Sequence, residues 1–118
     1  MAKLTVKASV RFIEFSSALL HILVRSQRLV EGLTEIDEVV VTSANDSTHG
    51  AGSRHYTNEA LDFRTKNFPS RDFTRWFRRA LEETLGPQFR VLLEDEGTPN
   101  EHLHAQVRKG TKYIPVPL

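Results

Sequence analysis

Apolar and polar positions alternate with a period of two from Leu4 onward in "LTVKASVRF", which predicts a first strand ending at Phe12. The period then changes. Leu19, Leu20, Ile22, Leu23, Leu29 and Val30 leave a polar face at Arg25, Ser26 and Arg28, the spacing of an amphipathic helix from about Ser16 to Glu31. Gly32 follows at once as a stop signal. The β-branched run "EVVVTS" predicts a buried strand, Glu38 to Ser43. "ANDSTHGAGSRHYTN" has no periodicity and predicts a long loop, a kind of segment that in compact domains usually carries function. "EALDFR" reads as the next strand. "SRDFTRWFRRALEETLG" opens with Ser70 as N-cap, closes at Gly86 and aligns Phe73, Trp76, Phe77, Ala80, Leu81 and Leu85 on one stripe, as a helix requires. "QFRVLLE" and "HLHAQVR" are strands on either side of the turn-rich "DEGTPNE". Pro115 and Pro117 argue against a central strand in the tail. Helices and strands mix without a regular βαβ rhythm. The expected class is therefore α+β, a small, largely antiparallel sheet with helices packed on one face and its other face open.

Alternation also sorts the side chains of the later strands. Leu61 and Phe63 take one face and Ala60 and Asp62 the other; Leu103, Ala105 and Val107 oppose His102, His104 and Gln106. His55 stands just before its strand and can fold back over the polar face. That face then offers histidines and one carboxylate. Two histidines and a carboxylate with an open fourth position form a usual ligand set of catalytic zinc, which lowers the pKa of a bound water and polarises a carbonyl. Glu101, three residues before His104, is the candidate base. Because strict alternation aims Glu101 away from His104, this role requires it to sit in the last turn of the loop, outside the strand.

Length and composition narrow the setting. The chain has 118 residues, enough for one domain spanning 1–118. A net charge of +1 gives no electrostatic case for nucleic acid. Cysteine is absent, so disulfides and thiolate metal sites are excluded and any transition-metal site must use imidazole and carboxylate. The opening residues lack the pattern of a signal peptide, and "ALLHILV" is too short to span a bilayer.

"SRHYTNEALD" resembles the Ser-x-His-x-x-Gly-x-Ala-x-Asp motif of the zinc peptidases that include D-Ala-D-Ala carboxypeptidases, D-Ala-D-Ala dipeptidases and phage L-alanyl-D-glutamate endolysins. "EHLH" resembles their Glu-x-x-His motif in its His-x-His form. The resemblance runs roughly from Thr42 to Gln106. It implies zinc held by His55, Asp62 and His104, with Glu101 as general base, and hydrolysis of peptidoglycan stem peptides by direct attack of water. The short chain looks most like the phage members, which implies either residence in the host cytoplasm before release to the wall or association with the virion and a larger phage assembly. Two departures stand out. The family glycine is Asn58, at the turn into the strand. Many members also carry a transition-state arginine in a Tyr-Arg segment, where this chain has "TSAND"; Arg54 or His102 is the candidate for that role.

Plainer readings account for other residues. His21 reads as a core-edge residue of its helix and His49 as a solvated loop histidine. Ser53 and Thr57 satisfy local backbone groups, and no nucleophile elbow surrounds Ser53. Trp76 reads as core, and Arg75, Arg78 and Arg79 as a solvated helix face. Two functions compete with an endopeptidase: a non-enzymatic virion or adaptor component with a structural metal site, and a different cut by the same chemistry, that of a D,D-carboxypeptidase or dipeptidase, whose free substrate carboxylate Arg54 could bind.

Overall fold

The structure is a computed structural model that describes residues 1–12, 16–44 and 59–118. Their order is β1 (Lys3–Val6), α1 (Ser17–Glu31), β2 (Glu38–Ser43), β3 (Ala60–Arg64), α2 (Arg71–Leu85), β4 (Phe89–Glu94) and β5 (His102–Val107). The strands form one sheet in the order β1-β2-β3-β5-β4, with β1 parallel to β2 and every other pair antiparallel. The class is α+β. The first strand ends at Val6, well short of Phe12, because the Val10 N–H donates to the Lys7 carbonyl and turns the chain away from the sheet. The pattern along the chain also gives no hint that β1, α1 and β2 form a parallel crossover unit.

Both helices begin where a serine oxygen can accept a first-turn N–H. Ser16 Oγ accepts from Leu19 at 3.1 Å and Ser70 Oγ from Phe73 at 3.0 Å. Gly86 ends α2 at φ +97°, a conformation that a Cβ would strain. The helices pack on one face of the sheet. Leu19, Ile22 and Val30 of α1 and Phe77, Leu81 and Leu85 of α2 meet Val39, Val41, Leu61, Phe63, Leu103 and Val107 in a single core. Burying each of these side chains contributes about 1.5–3 kcal/mol, so the helices hold the backs of β3 and β5 rigidly. The opposite face is less open than alternation predicts. At its centre Ala60, Asp62, His104 and Gln106 are 8% exposed or less, so β3 and β5 are buried on both sides.

His21 illustrates how the core handles a polar group. It is 1% exposed. Its Nε2–H donates to the Leu85 carbonyl at 2.8 Å, and its Nδ1 accepts from the Tyr113 hydroxyl at 2.9 Å, which ties the end of α2 and the C-terminal tail to α1. Both nitrogens are satisfied with the ring neutral. Burial lowers its pKa; the Leu85 carbonyl works against this and the charge of Arg25 adds to it. A histidine with a depressed folded pKa binds its proton more readily when unfolded. Its contribution is complete above the unfolded value of 6.5 and is lost as pH falls through the lower, folded value. Urea unfolding of the parent should therefore weaken between pH 7 and pH 5 more steeply than that of His21→Gln, and equal slopes would refute the assignment.

Candidate functional site

Strand pairing builds a grid of side chains on the face away from the helices. Across β3, β5 and β4, Arg64, His102 and Glu94 form one row; Asp62, His104 and Leu92 the next; Ala60, Gln106 and Arg90 the third. Rows in antiparallel sheets bring side chains within contact distance, and diagonals come within reach of long ones. His104 Nδ1 lies 2.8 Å from Asp62 Oδ1 and 3.8 Å from Glu94 Oε1. Its Nε2–H donates to Gln106 Oε1 at 2.8 Å. His102 Nδ1–H donates to the Asn100 carbonyl at 2.7 Å and its Nε2–H to Glu94 Oε1 at 3.0 Å; Nε2 is also 3.8 Å from Asp62 Oδ2.

All four partners of these ring nitrogens are acceptors, so both rings are suited to the protonated form. Burial lowers the pKa of His104, but the hydrogen bond and charge of Asp62, helped by Gln106 and Glu94, outweigh it and raise the pKa. For His102 burial again acts downward and is outweighed by the Asn100 carbonyl, Asp62 and Glu94. Both carboxylates thereby find hydrogen-bonding partners on the imidazoles.

Asp62, Glu94 and His104 could hold a metal ion, since one ligand atom from each lies within 4.8 Å of the others. The chemistry of the set fits a divalent cation. Two carboxylates neutralise its charge, and Gln106 Oε1 keeps the remaining proton of His104 on Nε2, so that Nδ1 can present its lone pair once the ion replaces its proton. Tetrahedral ligands at zinc distances sit about 3.3 Å apart. The 2.8 Å and 3.8 Å separations around Nδ1 straddle that value.

Among the residues singled out from sequence, the structure brings Asp62, His102 and His104 together. His55 and Arg54 lie outside the described residues, as do His49, Ser53, Thr57 and Asn58. Glu101 is not brought to the cluster. It does precede β5 as its proposed role requires, yet its carboxylate turns elsewhere. Oε2 accepts from the Thr65 hydroxyl, Oε1 accepts from Gly97 N–H at 3.0 Å, and Arg71 Nη1 lies 3.7 Å from Oε1. Those partners, Thr65 first, then Gly97 and Arg71, lower its pKa. Sequence reading missed Glu94. Alternation along "RVLLE" places it on a face with Arg90 and Leu92, but only the β4–β5 register shows that this is the face of His104. No protein-family model, curated protein or solved structure matches this chain.

Proposed function

We propose that this protein is a zinc-dependent peptidase that cuts peptide bonds in peptidoglycan stem peptides, of the phage lysin type. One observation carries the reading. Asp62 and His104, 42 residues apart and each drawn from a different motif, meet at 2.8 Å on a buried sheet face with Glu94 beside them. Asp62 and His104 would hold the ion, with His55 as the third ligand that the motif implies. A bound zinc would supply positive charge that polarises the scissile carbonyl. Glu94 Oε1, within 3.8 Å of His104 Nδ1, is positioned to take the proton of the attacking water and pass it to the leaving amine. In this assignment the base is Glu94, since Glu101 is committed to Thr65, Gly97 and Arg71. His102 Nε2–H holds Glu94 in place, and His102 or Arg54 donates to the oxyanion. Substrate and partner are thus the wall peptide, met either after release from the host cytoplasm or from a virion; no helix among the described residues is long and apolar enough to cross a membrane.

The burial of Asp62 and His104 favours a second reading, because structural metal sites are closed and catalytic ones keep an open position. There the protein is a virion or adaptor component stabilised by its ion. Purified peptidoglycan separates the two. The peptidase reading expects soluble peptide fragments, their masses naming the bond, and loss of release with chelator. Absence of fragments from walls of several bacteria, alongside a chelator-sensitive melting temperature, would favour the structural site.

A further inference from the structure

The two edges of the sheet are finished differently. The edge at β4 is closed by the end and flank of α2. The Val91 carbonyl accepts from Arg78 Nη1 at 3.0 Å, the Val91 N–H donates to Glu82 Oε2 at 2.8 Å, and the Phe89 N–H donates to the Gly86 carbonyl at 3.2 Å. The edge at β1 has no such cover. Lys3 N–H donates to the Asp37 carbonyl and Lys7 N–H to the Val41 carbonyl, both at 2.9 Å, so the parallel ladder with β2 uses the groups of Lys3, Thr5 and Lys7. The N–H and C=O groups of Leu4 and Val6 point the other way, and among the described residues none bonds to them. These groups form a template for one more strand.

The side chains along that edge say what kind of strand fits. Leu4 packs against the core, so Leu4 and Val6 take the helix side, where Val6 stays 45% exposed. Lys3, Thr5 and Lys7 take the other side. The Thr5 hydroxyl donates at 2.9 Å to Oε2 of Glu38, the register neighbour of Lys3. Lys3 and Lys7 are exposed, and among the described residues neither has an ion-pair partner. A strand seated here therefore meets two ammonium groups on one face and an apolar side chain on the other.

A second copy of this chain is a poor occupant. Antiparallel pairing of two β1 edges through all of these groups sets Leu4 against Val6, and hence Lys3 against Lys7 of the other copy. Like charges directly opposite one another destabilise a strand pair, and lysines on a short edge strand guard against such self-association. The same lysines attract carboxylates.

We propose that the outer edge of β1 takes up an extended segment of a partner protein, in which acidic residues alternate with apolar ones, as a sixth strand of the sheet. Leu4 and Val6 supply the backbone hydrogen bonds, Lys3 and Lys7 select the acidic residues opposite them, and Val6 covers an apolar one. The inference is independent of the peptidase reading, since β2 stands between this edge and the strand that carries Asp62.

The test uses the full-length, nitrogen-15-labelled protein and end-blocked peptides: Glu-Val-Thr-Val-Glu, Lys-Val-Thr-Val-Lys, and the acidic peptide N-methylated at both valines. In antiparallel register the glutamates oppose Lys3 and Lys7 and the valines oppose Leu4 and Val6. The acidic peptide should move the Leu4 and Val6 amide signals and bind roughly tenfold or more tightly than the lysine peptide, the scale of two cross-strand charge pairs turned from repulsion to attraction. N-methylation should abolish binding, because the valine donors that face β1 are gone. Lys3→Glu combined with Lys7→Glu should reverse the preference between the two charged peptides. Equal binding of the N-methylated peptide overturns the proposal, because attraction is then a matter of charge without strand addition. Leu4 and Val6 signals that stay still with every peptide at millimolar concentration overturn it too, as does a preference that survives the double substitution. A parent that dimerises through these amides, seen by sedimentation and by the same signals, gives the edge to a second copy and overturns the acidic partner.

Discussion

Replacing His104 with alanine should lower zinc affinity by more than about a hundredfold, beyond the 10–100-fold that loss of an outer-shell partner costs. The reason is geometric. His104 is the point at which the cluster converges, with Nδ1 2.8 Å from Asp62 and 3.8 Å from Glu94, and no other imidazole among the described residues belongs to the metal-holding group. Gln106→Ala should cost roughly 10–100-fold, because the ring would lose the acceptor that fixes its Nε2 proton. His102→Ala should cost little, since the ring faces Asn100 and the carboxylates as a donor. Titration with zinc, followed by calorimetry and by metal content after dialysis, gives the ranking directly. Affinity that survives in His104→Ala but collapses in His102→Ala would mean that the other histidine of the His-x-His pair is the ligand.

The elements that carry this site were legible because each has a strong local signature. Ser70 and Gly86 bracket a helix that runs from Arg71 to Leu85, and the β-branched run Glu38 to Ser43 is β2 to the residue. Period-two alternation assigned Asp62, His102 and His104 to one face, and the register of β3 with β5 places Asp62 opposite His104. What failed to show depends on contacts between distant segments. Strand alternation says which side of its own strand a residue takes, not which strand lies next to it. Glu94 therefore stayed hidden until β4 was known to flank β5, and the parallel pairing of β1 with β2 until α1 was known to cross between them.

Burial was the other quantity that the pattern could not supply. A strand with one apolar and one polar side normally turns the polar side to water, yet Asp62, His104 and Gln106 are nearly inaccessible. Their pairing explains how this is tolerated. A buried charge is costly unless a partner and hydrogen bonds satisfy it, and here each imidazole nitrogen meets an acceptor while the carboxylates meet imidazoles. The same arrangement lets a divalent ion take the place of a proton without leaving either carboxylate unpaired. A site read from a sequence as a list of ligands is thus a hydrogen-bonded network in the fold, and Glu94 and Gln106 belong to it as much as the motif residues do.

On the peptidase reading, the network favours Glu94 as the base over Glu101, the residue that the motif implies. Glu94→Gln should lower wall-peptide cleavage by about a hundredfold or more, the scale of a lost general base, while Glu101→Gln should leave kcat near the parental value. Glu94 Oε1 stands within 3.8 Å of His104 Nδ1. Glu101 instead ties the turn before β5 to Thr65 and Arg71, so its amide variant should show its loss as a lower urea midpoint. The lowered pKa of Glu101 sharpens the contrast. Its ionised form contributes stability above the carboxylate value of 4.5, and that contribution disappears as pH falls through the lower, folded value, so Glu101→Gln should flatten the acid limb of the stability profile without moving the acid limb of kcat. Zinc content measured on both variants completes the experiment. Metal kept in Glu94→Gln with activity gone identifies a base, and metal lost with activity makes Glu94 a ligand. Near-normal turnover in Glu94→Gln beside an inactive, folded Glu101→Gln would return the role to Glu101 and require its carboxylate to leave Thr65 and Gly97 when substrate binds.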